Sequence, residues 1–203
     1  MTDFDLASWY AAKDFTTDWT SHNFSVWAAL LAARRDDALE VLEIGSWEGR
    51  SAIVFLNYLP RCRITCVDTF AGSADHDFNP EWATAVGDCE RRFDANLAEF
   101  SARVEKIKAP SSCALSRLAI ARRRFDLVYI DGSHHSADVY ADAALCWPLL
   151  VEDAIVIFDD YEWTLASAED ERPKLGIDAF LATQAGQYTE LHRGYQLIVR
   201  KRP

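Results

Sequence analysis

No apolar run in the 203-residue sequence approaches the roughly 20 consecutive residues that a membrane-spanning helix needs. Residues 1–14 also lack a basic stretch followed by an apolar one, which is the pattern of a secretory signal peptide. Both absences exclude common sequence signals for insertion or export. The sequence therefore predicts a cytoplasmic protein with no membrane partner.

The cysteines show no pairing pattern. There are five, Cys62, Cys66, Cys89, Cys113 and Cys146, and none stands in a Cys-x-x-Cys motif. A zinc site would need a second pair of thiolate or imidazole ligands near Cys62 and Cys66, and no matching pair follows. We therefore expect reduced, buried cysteines rather than disulfides or a metal centre.

Basic residues are few compared with acidic ones. The chain has 21 Lys and Arg against 32 Asp and Glu, which gives a formal net charge of −11. Nucleic-acid binding usually needs a basic stripe, because neutralised phosphates supply most of the affinity. The dense basic run Arg122–Arg124 is interpreted as an exposed helix end, where the helix dipole favours cations. We therefore expect no nucleic-acid partner.

Two common nucleotide-binding motifs are also missing. The spacing of Gly45 and Gly49 differs from the Gly-x-Gly-x-x-Gly fingerprint of dinucleotide sites, and no Gly-Lys-Ser/Thr follows, so a pyrophosphate is not the favoured ligand. Gly45 permits a sharp turn, and Gly49 is interpreted as letting a ligand approach the main chain. Glu43 could accept hydrogen bonds from a positively charged ligand such as a sulfonium amino acid.

Apolar runs and helical periodicities alternate along the chain. Helical patterns separate five buried-strand patterns, at residues 38–45, 61–70, 103–109, 125–132 and 153–161. This alternation predicts a parallel sheet with helices on both faces, that is, an α/β, Rossmann-like doubly wound fold. Residues 187–201 predict a hairpin that adds an antiparallel strand.

The chain shows no linker and reads as one domain. We interpret residues 1–38 as an N-terminal helical segment of that domain, and residues 39–203 as the part that carries the sheet. Residues 71–87 are rich in Gly, Asp, Asn and Pro, and they predict a loop or a short helix.

Acidic residues follow several of the predicted strands, where parallel sheets bind their ligands. Asp68 lies about 20 residues beyond the glycine turn, the separation expected of an acid that accepts ribose hydroxyls. Asp131 follows the fourth strand, and Asp159 and Asp160 follow the fifth. Crowded carboxylates need a cation, and oxygen ligands suit Mg²⁺ or Mn²⁺. We predict a divalent metal site; the alternative is that one or more of these acids cap helices.

Two histidines, His134 and His135, come directly after the fourth strand. An imidazole titrates near neutral pH and can take a proton from a hydroxyl group. His134 stands three residues from Asp131, which brings both to the same turn of the chain. We predict His134 and Asp131 as the catalytic residues; the alternative is a histidine at a helix start with no chemistry.

Four segments together resemble a known family. The chain is similar to class I S-adenosylmethionine-dependent methyltransferases in LEIGSWEGRS, CVDTFAGS, FDLVYIDGSHH and IVIFDDY. The similarity is to small-molecule O-methyltransferases of the macrocin and mycinamicin type and to the cephalosporin-hydroxylase-like group. Glu43, Gly45, Gly49 and Ser51 match the Glu-x-Gly-x-x-x-Gly-x-Ser pattern of the catechol-type enzymes.

The resemblance implies a seven-stranded sheet whose last strand is antiparallel, with residues 39–203 as an S-adenosylmethionine-binding methyltransferase domain. It implies that the methionine part of the cofactor is lined by Glu43, Gly45, Ser46, Trp47, Gly49 and Ser51. The ribose and adenine contacts that it implies are Asp68, Thr69, Phe70, Ser111 and Ser112, with Asp131 also at the cofactor. The positions that bind a divalent ion in metal-dependent members are Asp131, Asp159 and Asp160, and His134 matches a base position.

The reaction that the resemblance implies is methyl transfer to a hydroxyl of a small molecule, assisted by Mg²⁺ or Mn²⁺. Ser133 departs from related sugar methyltransferases, which often carry an extra acid there, and the short N-terminal part predicts that a substrate lid or oligomer arm is missing. Alternatives are a nicotinamide-dependent oxidoreductase, disfavoured by the missing glycine motif and Tyr-x-x-x-Lys pair, and a non-catalytic binding module. A homodimer stays open.

Overall fold

The computed structural model describes residues 5–72, 80–164, 168 and 172–203 of the chain. Within them, seven strands form one sheet. The strands are β1 (Glu40–Ile44), β2 (Arg63–Asp68), β3 (Val104–Lys108), β4 (Phe125–Ile130), β5 (Leu150–Phe158), β6 (Tyr188–Arg193) and β7 (Leu197–Lys201). β5 begins earlier than its apolar pattern predicts, because Leu150 already pairs with Phe125 at the start of β4.

Helices connect most of these strands. They are α1 (Leu6–Tyr10), α2 (Phe24–Leu31), α3 (Arg50–Tyr58), α4 (Pro80–Leu97), α5 (Ser111–Ile120), α6 (Ser136–Cys146) and α7 (Pro173–Thr183). α4 starts inside the segment that predicts a loop; proline suits a first helical position, because no intrahelical N–H is needed there. Residues 73–79 of that segment lie outside the described residues. No described helix combines the length and apolar composition of a bilayer span.

The sheet order is β3-β2-β1-β4-β5-β7-β6. Strands β1 to β5 run parallel, and β7 is antiparallel to both β5 and β6. The predicted Rossmann-like sheet with an antiparallel last strand is therefore confirmed. In register, Ile44 pairs with both Val67 and Ile130, and Ile130 pairs with Phe158. The carboxyl ends of four central strands therefore reach one common edge.

Both faces of the sheet are covered by apolar packing. Val41 faces the cluster that holds Trp27 and Phe55, whose rings stack with centroids 4.8 Å apart. Leu42 and Ile44 face the opposite cluster, which is built from α5, α6 and α7. Alternate residues of a strand point to opposite faces, so a strand buried on both sides reads as a continuous apolar run. This packing holds the loops at the carboxyl edge on a rigid base.

The N-terminal part is only partly helical, although the sequence predicts a helical segment over residues 1–38. Between α1 and Ser21 the chain has no regular secondary structure. The Thr16 amide and hydroxyl donate to the buried carboxylate of Glu48 at 2.7 and 2.9 Å, and the Asp14 amide donates to Asn96 at 2.8 Å. These side chains replace helical hydrogen bonds, which fixes an irregular path.

Cys62, Cys66, Cys89 and Cys146 are buried, as predicted. Burial raises the pKa of the Cys62 thiol to about 11, so it behaves as a small apolar side chain. The prediction is wrong for Cys113, which is exposed. It lies in the first turn of α5, and buried residues Ala114, Leu115 and Leu118 form the inner face of that helix.

Candidate active site

A cavity of about 510 Å³ opens at the carboxyl edge of the sheet. This is within the size range of small-molecule and cofactor sites. Its wall is built mainly from the loops that follow β1, β2, β3 and β4. The residues predicted to contact a cofactor that line it are Gly45, Trp47, Asp68, Thr69, Ser111, Ser112 and Asp131. His134 and His135 line it as well.

Five other residues predicted as cofactor contacts do not line this cavity: Glu43, Ser46, Gly49, Ser51 and Phe70. Glu43 is fully buried, and its carboxylate accepts a hydrogen bond of 2.5 Å from the Ser51 hydroxyl. Burial raises the pKa of Glu43. The hydrogen bond between Glu43 and Ser51 therefore ties the first turn of α3 to β1, behind the loop that forms the cavity wall.

Gly45 and Gly49, the two glycines of the turn after β1, have different structural roles. Both have φ +83°, a left-handed conformation that favours glycine. A Cβ on Gly45 would lie 1.8 Å from the carbonyl oxygen of Asp131, so this glycine allows two loops of the site to touch. A Cβ on Gly49 would meet Leu97 at 3.0 Å. Leu97 of α4 therefore packs against Gly49 on the side where a Cβ would stand, and the approach of a ligand to its main chain stays a prediction.

Asp68 organises the backbone around it as well as facing the cavity. One oxygen accepts a hydrogen bond from the Trp47 amide at 2.8 Å, and the other accepts one from the Phe70 amide at 2.7 Å. Trp47 and Phe70 have φ values of 47° and 53°, which are costly for non-glycine residues. An ionised carboxylate has about four acceptor positions, so Asp68 can still accept from a ligand's hydroxyls.

Asp131, His134 and Asp160 come together at the rim beside the cavity. Each offers one ligand atom, and these atoms all lie within 4.8 Å of one another. His134 Nε2 lies 2.8 Å from Asp160 Oδ2, and the His134 ring packs on Trp163 with centroids 4.7 Å apart. The Tyr195 hydroxyl donates to Asp160 Oδ1 at 2.6 Å. Residues far apart in sequence therefore form one group.

Asp159 does not join this group, although the sequence predicts it as a metal ligand together with Asp131 and Asp160. Its Oδ1 accepts from the Gln196 side chain at 3.0 Å and from the Asp160 amide at 2.9 Å. The hydroxyl of Tyr129 hydrogen-bonds its other oxygen and also lies 2.9 Å from Asp131 Oδ2. Asp159 thus stands behind the other acids and braces them.

Asp131 and Asp159 are close enough to other acids for repulsion to raise their pKa values. Burial, followed by repulsion from Asp159 and Asp160, raises the pKa of Asp131. Burial and the neighbouring Asp160 likewise raise the pKa of Asp159. Hard oxygen donors that repel one another in a partly dry site are the usual surroundings of a small divalent cation. Within the group, the carboxylate oxygens of Asp131 and Asp160 are therefore the donors suited to Mg²⁺ or Mn²⁺.

Sequence reasoning missed four residues of this region: Trp19, Asp142, Tyr195 and Gln196. Trp19 lines the cavity with its ring centroid 6.3 Å from that of Trp47, so the N-terminal part contributes to the wall of the site. Nothing local distinguishes Trp19, Tyr195 or Gln196. Asp142 does have a signal in the sequence, as an acid on the side of α6 that carries the apolar Val139 and Ala143.

Asp142 provides the first test. Burial raises its pKa to about 6 from a usual value of 3.8. Between those pH values the native state binds more protons than the unfolded state, so stability falls as pH rises. We expect Asp142→Asn to raise the free energy of unfolding by about 1–3 kcal/mol at pH 8, since one pKa unit is worth about 1.4 kcal/mol. Urea unfolding at pH 8 and pH 4 measures this gain, which should shrink towards zero at pH 4. An equal gain at both pH values would contradict the burial argument.

The comparisons with known proteins agree with this geometry. A family model described as a methyltransferase domain matches residues 42–161, more than half of the chain. The match begins in β1 and ends just after the Asp159–Asp160 pair. None of the curated proteins compared matches the chain.

Solved structures share the fold at low sequence identity. MycE, the methyltransferase of the mycinamycin biosynthetic pathway, solved with Mg, SAH and mycinamycin VI, is 21% identical with a TM-score of 0.67. The alignment covers 98% of this chain and 54% of MycE, so the chain spans about half of that protein's length. The Bacillus cereus O-methyltransferase solved with SAH is 17% identical, with a TM-score of 0.62 and 98% and 88% coverage. The calicheamicin methyltransferase CalS11 is 18% identical, with a TM-score of 0.61 and 96% and 89% coverage.

Proposed function

The chain belongs to the methyltransferase domain family that it matches over residues 42–161, and we propose that it transfers the methyl group of S-adenosylmethionine to a hydroxyl group of a small molecule. One observation carries the proposal. Asp68 and Asp131 line the same cavity, next to the turn at Gly45. S-adenosylmethionine is an elongated nucleoside with a charged amino acid at one end. It needs an acceptor for its ribose, a turn beside its amino acid and an acid near that turn, all along one edge of the sheet.

In the proposed complex, Asp68 accepts hydrogen bonds from the ribose hydroxyls of the cofactor. The turn from Gly45 to Gly49 places the methionine part beside Asp131, and Trp19 and Trp47 cover it. Glu43 and Ser51 act indirectly by holding α3 against β1. Residues 39–203 form the proposed cofactor-binding domain. Residues 1–38 are part of the same domain, because Thr16 hydrogen-bonds to Glu48 of the glycine turn.

Asp131 and Asp160 are proposed to hold a divalent ion, and His134 lies beside them and lines the cavity together with Asp131. MycE, which shares the fold, was solved with Mg and SAH bound, and this supports both groups here. When bound, such an ion lowers the pKa of a coordinated hydroxyl and orients it. Asp159, fixed by Tyr129 and Gln196, keeps the two acids in place rather than facing the ion.

His134 is the proposed general base. Its ring is held by Trp163 and by the 2.8 Å contact of Nε2 with Asp160, so Nδ1 is the nitrogen proposed to take the proton of the acceptor hydroxyl. Asp160 then stabilises the resulting imidazolium. The methyl group moves in line from sulfur to oxygen, and the role of the protein is to align the three reacting atoms. The acceptor is a small hydroxylated molecule, since the net charge of −11 disfavours nucleic acid.

Calorimetry tests this proposal with S-adenosylhomocysteine as the probe. We expect saturable binding of one molecule per chain and no binding of NAD⁺. Asp68→Asn should weaken the affinity about 10–100-fold, because it removes charge-assisted hydrogen bonds from the ribose. Asp94→Asn is the matched control, since Asp94 is exposed on α4 and contacts Lys106. A wild-type protein that binds NAD⁺, or that does not bind S-adenosylhomocysteine, would refute the proposal.

A further inference from the structure

Asp142 is a buried acid that the proposed reaction does not use. It lies on α6, only 4% exposed, and borders the cavity beside Ser111 and Ser112. Its Oδ2 atom is 3.6 Å from the position that a Cβ on Gly132 would take. The carboxylate thus stands at the wall of the cavity, where the start of α5 meets α6 and the loop after β4.

The charge of Asp142 has no compensation in the described part of the chain. Asp142 forms no ion pair there, and the neighbouring charge that acts on it, Asp138, is also negative. The Ser111 side chain favours the charged form of Asp142, but a carboxylate has about four acceptor positions to satisfy. A buried charge with so few donors is costly, so the arrangement indicates that further donors arrive with a ligand.

The cofactor of the proposed function, on which this inference rests, brings one such donor. With its ribose on Asp68, the base extends into the part of the cavity bounded by Val67, Ala109 and Ala141. These apolar side chains suit the faces of a flat ring. An adenine base has a single donor group, its exocyclic amino group, and Asp142 is the buried acceptor in the described wall of this part.

We propose that the carboxylate of Asp142 recognises the adenine base of the cofactor by accepting a hydrogen bond from its exocyclic amino group. The carboxylate is an acceptor only when ionised, and burial sets its pKa at about 6, so it is mostly ionised near neutral pH. Hypoxanthine carries a carbonyl oxygen in place of the amino group. Two acceptors would then face each other at that position, and the N1–H donor that hypoxanthine gains points in a different direction, so the base should bind more weakly.

Helix anchoring is the competing explanation for Asp142, because its contact with Ser111 joins α6 to α5. Asparagine separates the two roles. Its amide oxygen still accepts from Ser111, so anchoring persists. Its amide group can also turn to donate to a carbonyl oxygen, so discrimination between adenine and hypoxanthine should disappear.

The experiment measures the affinities of S-adenosylhomocysteine and S-inosylhomocysteine by calorimetry at pH 8. We expect the wild-type protein to prefer the adenine compound about 10–100-fold, the value of one hydrogen bond to a charged group. Asp142→Asn should reduce this preference to about threefold or less. Asp36→Asn, an exposed acid in the turn before β1, should leave it unchanged.

The outcomes separate this inference from the proposed function. A wild-type protein that binds neither compound would refute the proposed function. Binding of the adenine compound with an undiminished preference in Asp142→Asn would refute only the role of Asp142. If Asp142→Asn does not fold, the inference can be tested on the wild-type protein alone. The ligand is then an analogue of S-adenosylhomocysteine whose purine base lacks the amino group. Its affinity should be about 10–100-fold lower, and equal affinity would refute the inference.

Discussion

Replacing Asp131 with asparagine should lower the rate constant of methyl transfer by about 10²–10⁴-fold at saturating cofactor. The variant loses a carboxylate that lines the cavity and that stands within 4.8 Å of the ligand atoms of His134 and Asp160. An amide oxygen keeps the shape but not the charge, so the proposed ion binds weakly and the acceptor hydroxyl keeps its proton. Initial rates with excess Mg²⁺, on an acceptor found by screening catechols and sugars, measure the effect.

Mg²⁺ titrations by calorimetry give a second readout that does not depend on the acceptor. Asp131→Asn and Asp160→Asn should both abolish measurable Mg²⁺ binding. Asp159→Asn should weaken it about 10–100-fold without abolishing it, because Asp159 contacts Tyr129 and Gln196 instead of facing the group. Asp153→Asn, an exposed acid of β5, is the control. Unchanged Mg²⁺ affinity in Asp131→Asn would contradict the site, and loss in Asp159→Asn alone would reverse the assigned roles.

Replacing Gly45 with alanine should lower the free energy of unfolding by at least about 4 kcal/mol, which is at the extreme of single substitutions. The new Cβ would lie 1.8 Å from the carbonyl oxygen and 2.4 Å from the carbonyl carbon of Asp131. Both are backbone atoms, so the loops after β1 and β4 would have to separate. Urea unfolding measures the loss, and binding of S-adenosylhomocysteine should be lost with it.

Gly186 offers a matched control within the same chain. It has the same φ of +83°, but a Cβ there would meet nothing within 4 Å. Gly186→Ala therefore carries the cost of a left-handed alanine alone, about 1–2 kcal/mol. The difference between the two variants isolates the clash between the loops. Similar losses in both variants would show that the close approach of Gly45 to Asp131 contributes little.

The N-terminal part illustrates how tertiary contacts override a local pattern. Residues 11–20 carry polar groups that no helix satisfies, and they hydrogen-bond instead to Glu48 and Asn96. Glu48 belongs to the glycine turn itself, so this segment is fastened to the proposed cofactor site. Trp19 reaches the cavity for that reason, and sequence periodicity contains no trace of this contact.

The sequence by itself determined the α/β alternation, the parallel sheet and the edge at which the acids gather. These follow from local patterns, since apolar runs and helical periods are properties of short segments and parallel strands end on one side. Asp68 and Asp131 could therefore be placed at the cavity in advance. The final hairpin could be predicted for the same reason.

Only the tertiary structure decided which of these residues face the cavity. Asp159 turns to Gln196, which also accepts from Trp27, a residue 169 positions away in sequence. Gly49 makes room for Leu97, and Asp142 is brought to the wall by the packing of α6 against α5. Such roles depend on side-chain orientation and on contacts between distant elements. Neither side-chain orientation nor contacts between distant elements can be read from the pattern of residues along the sequence.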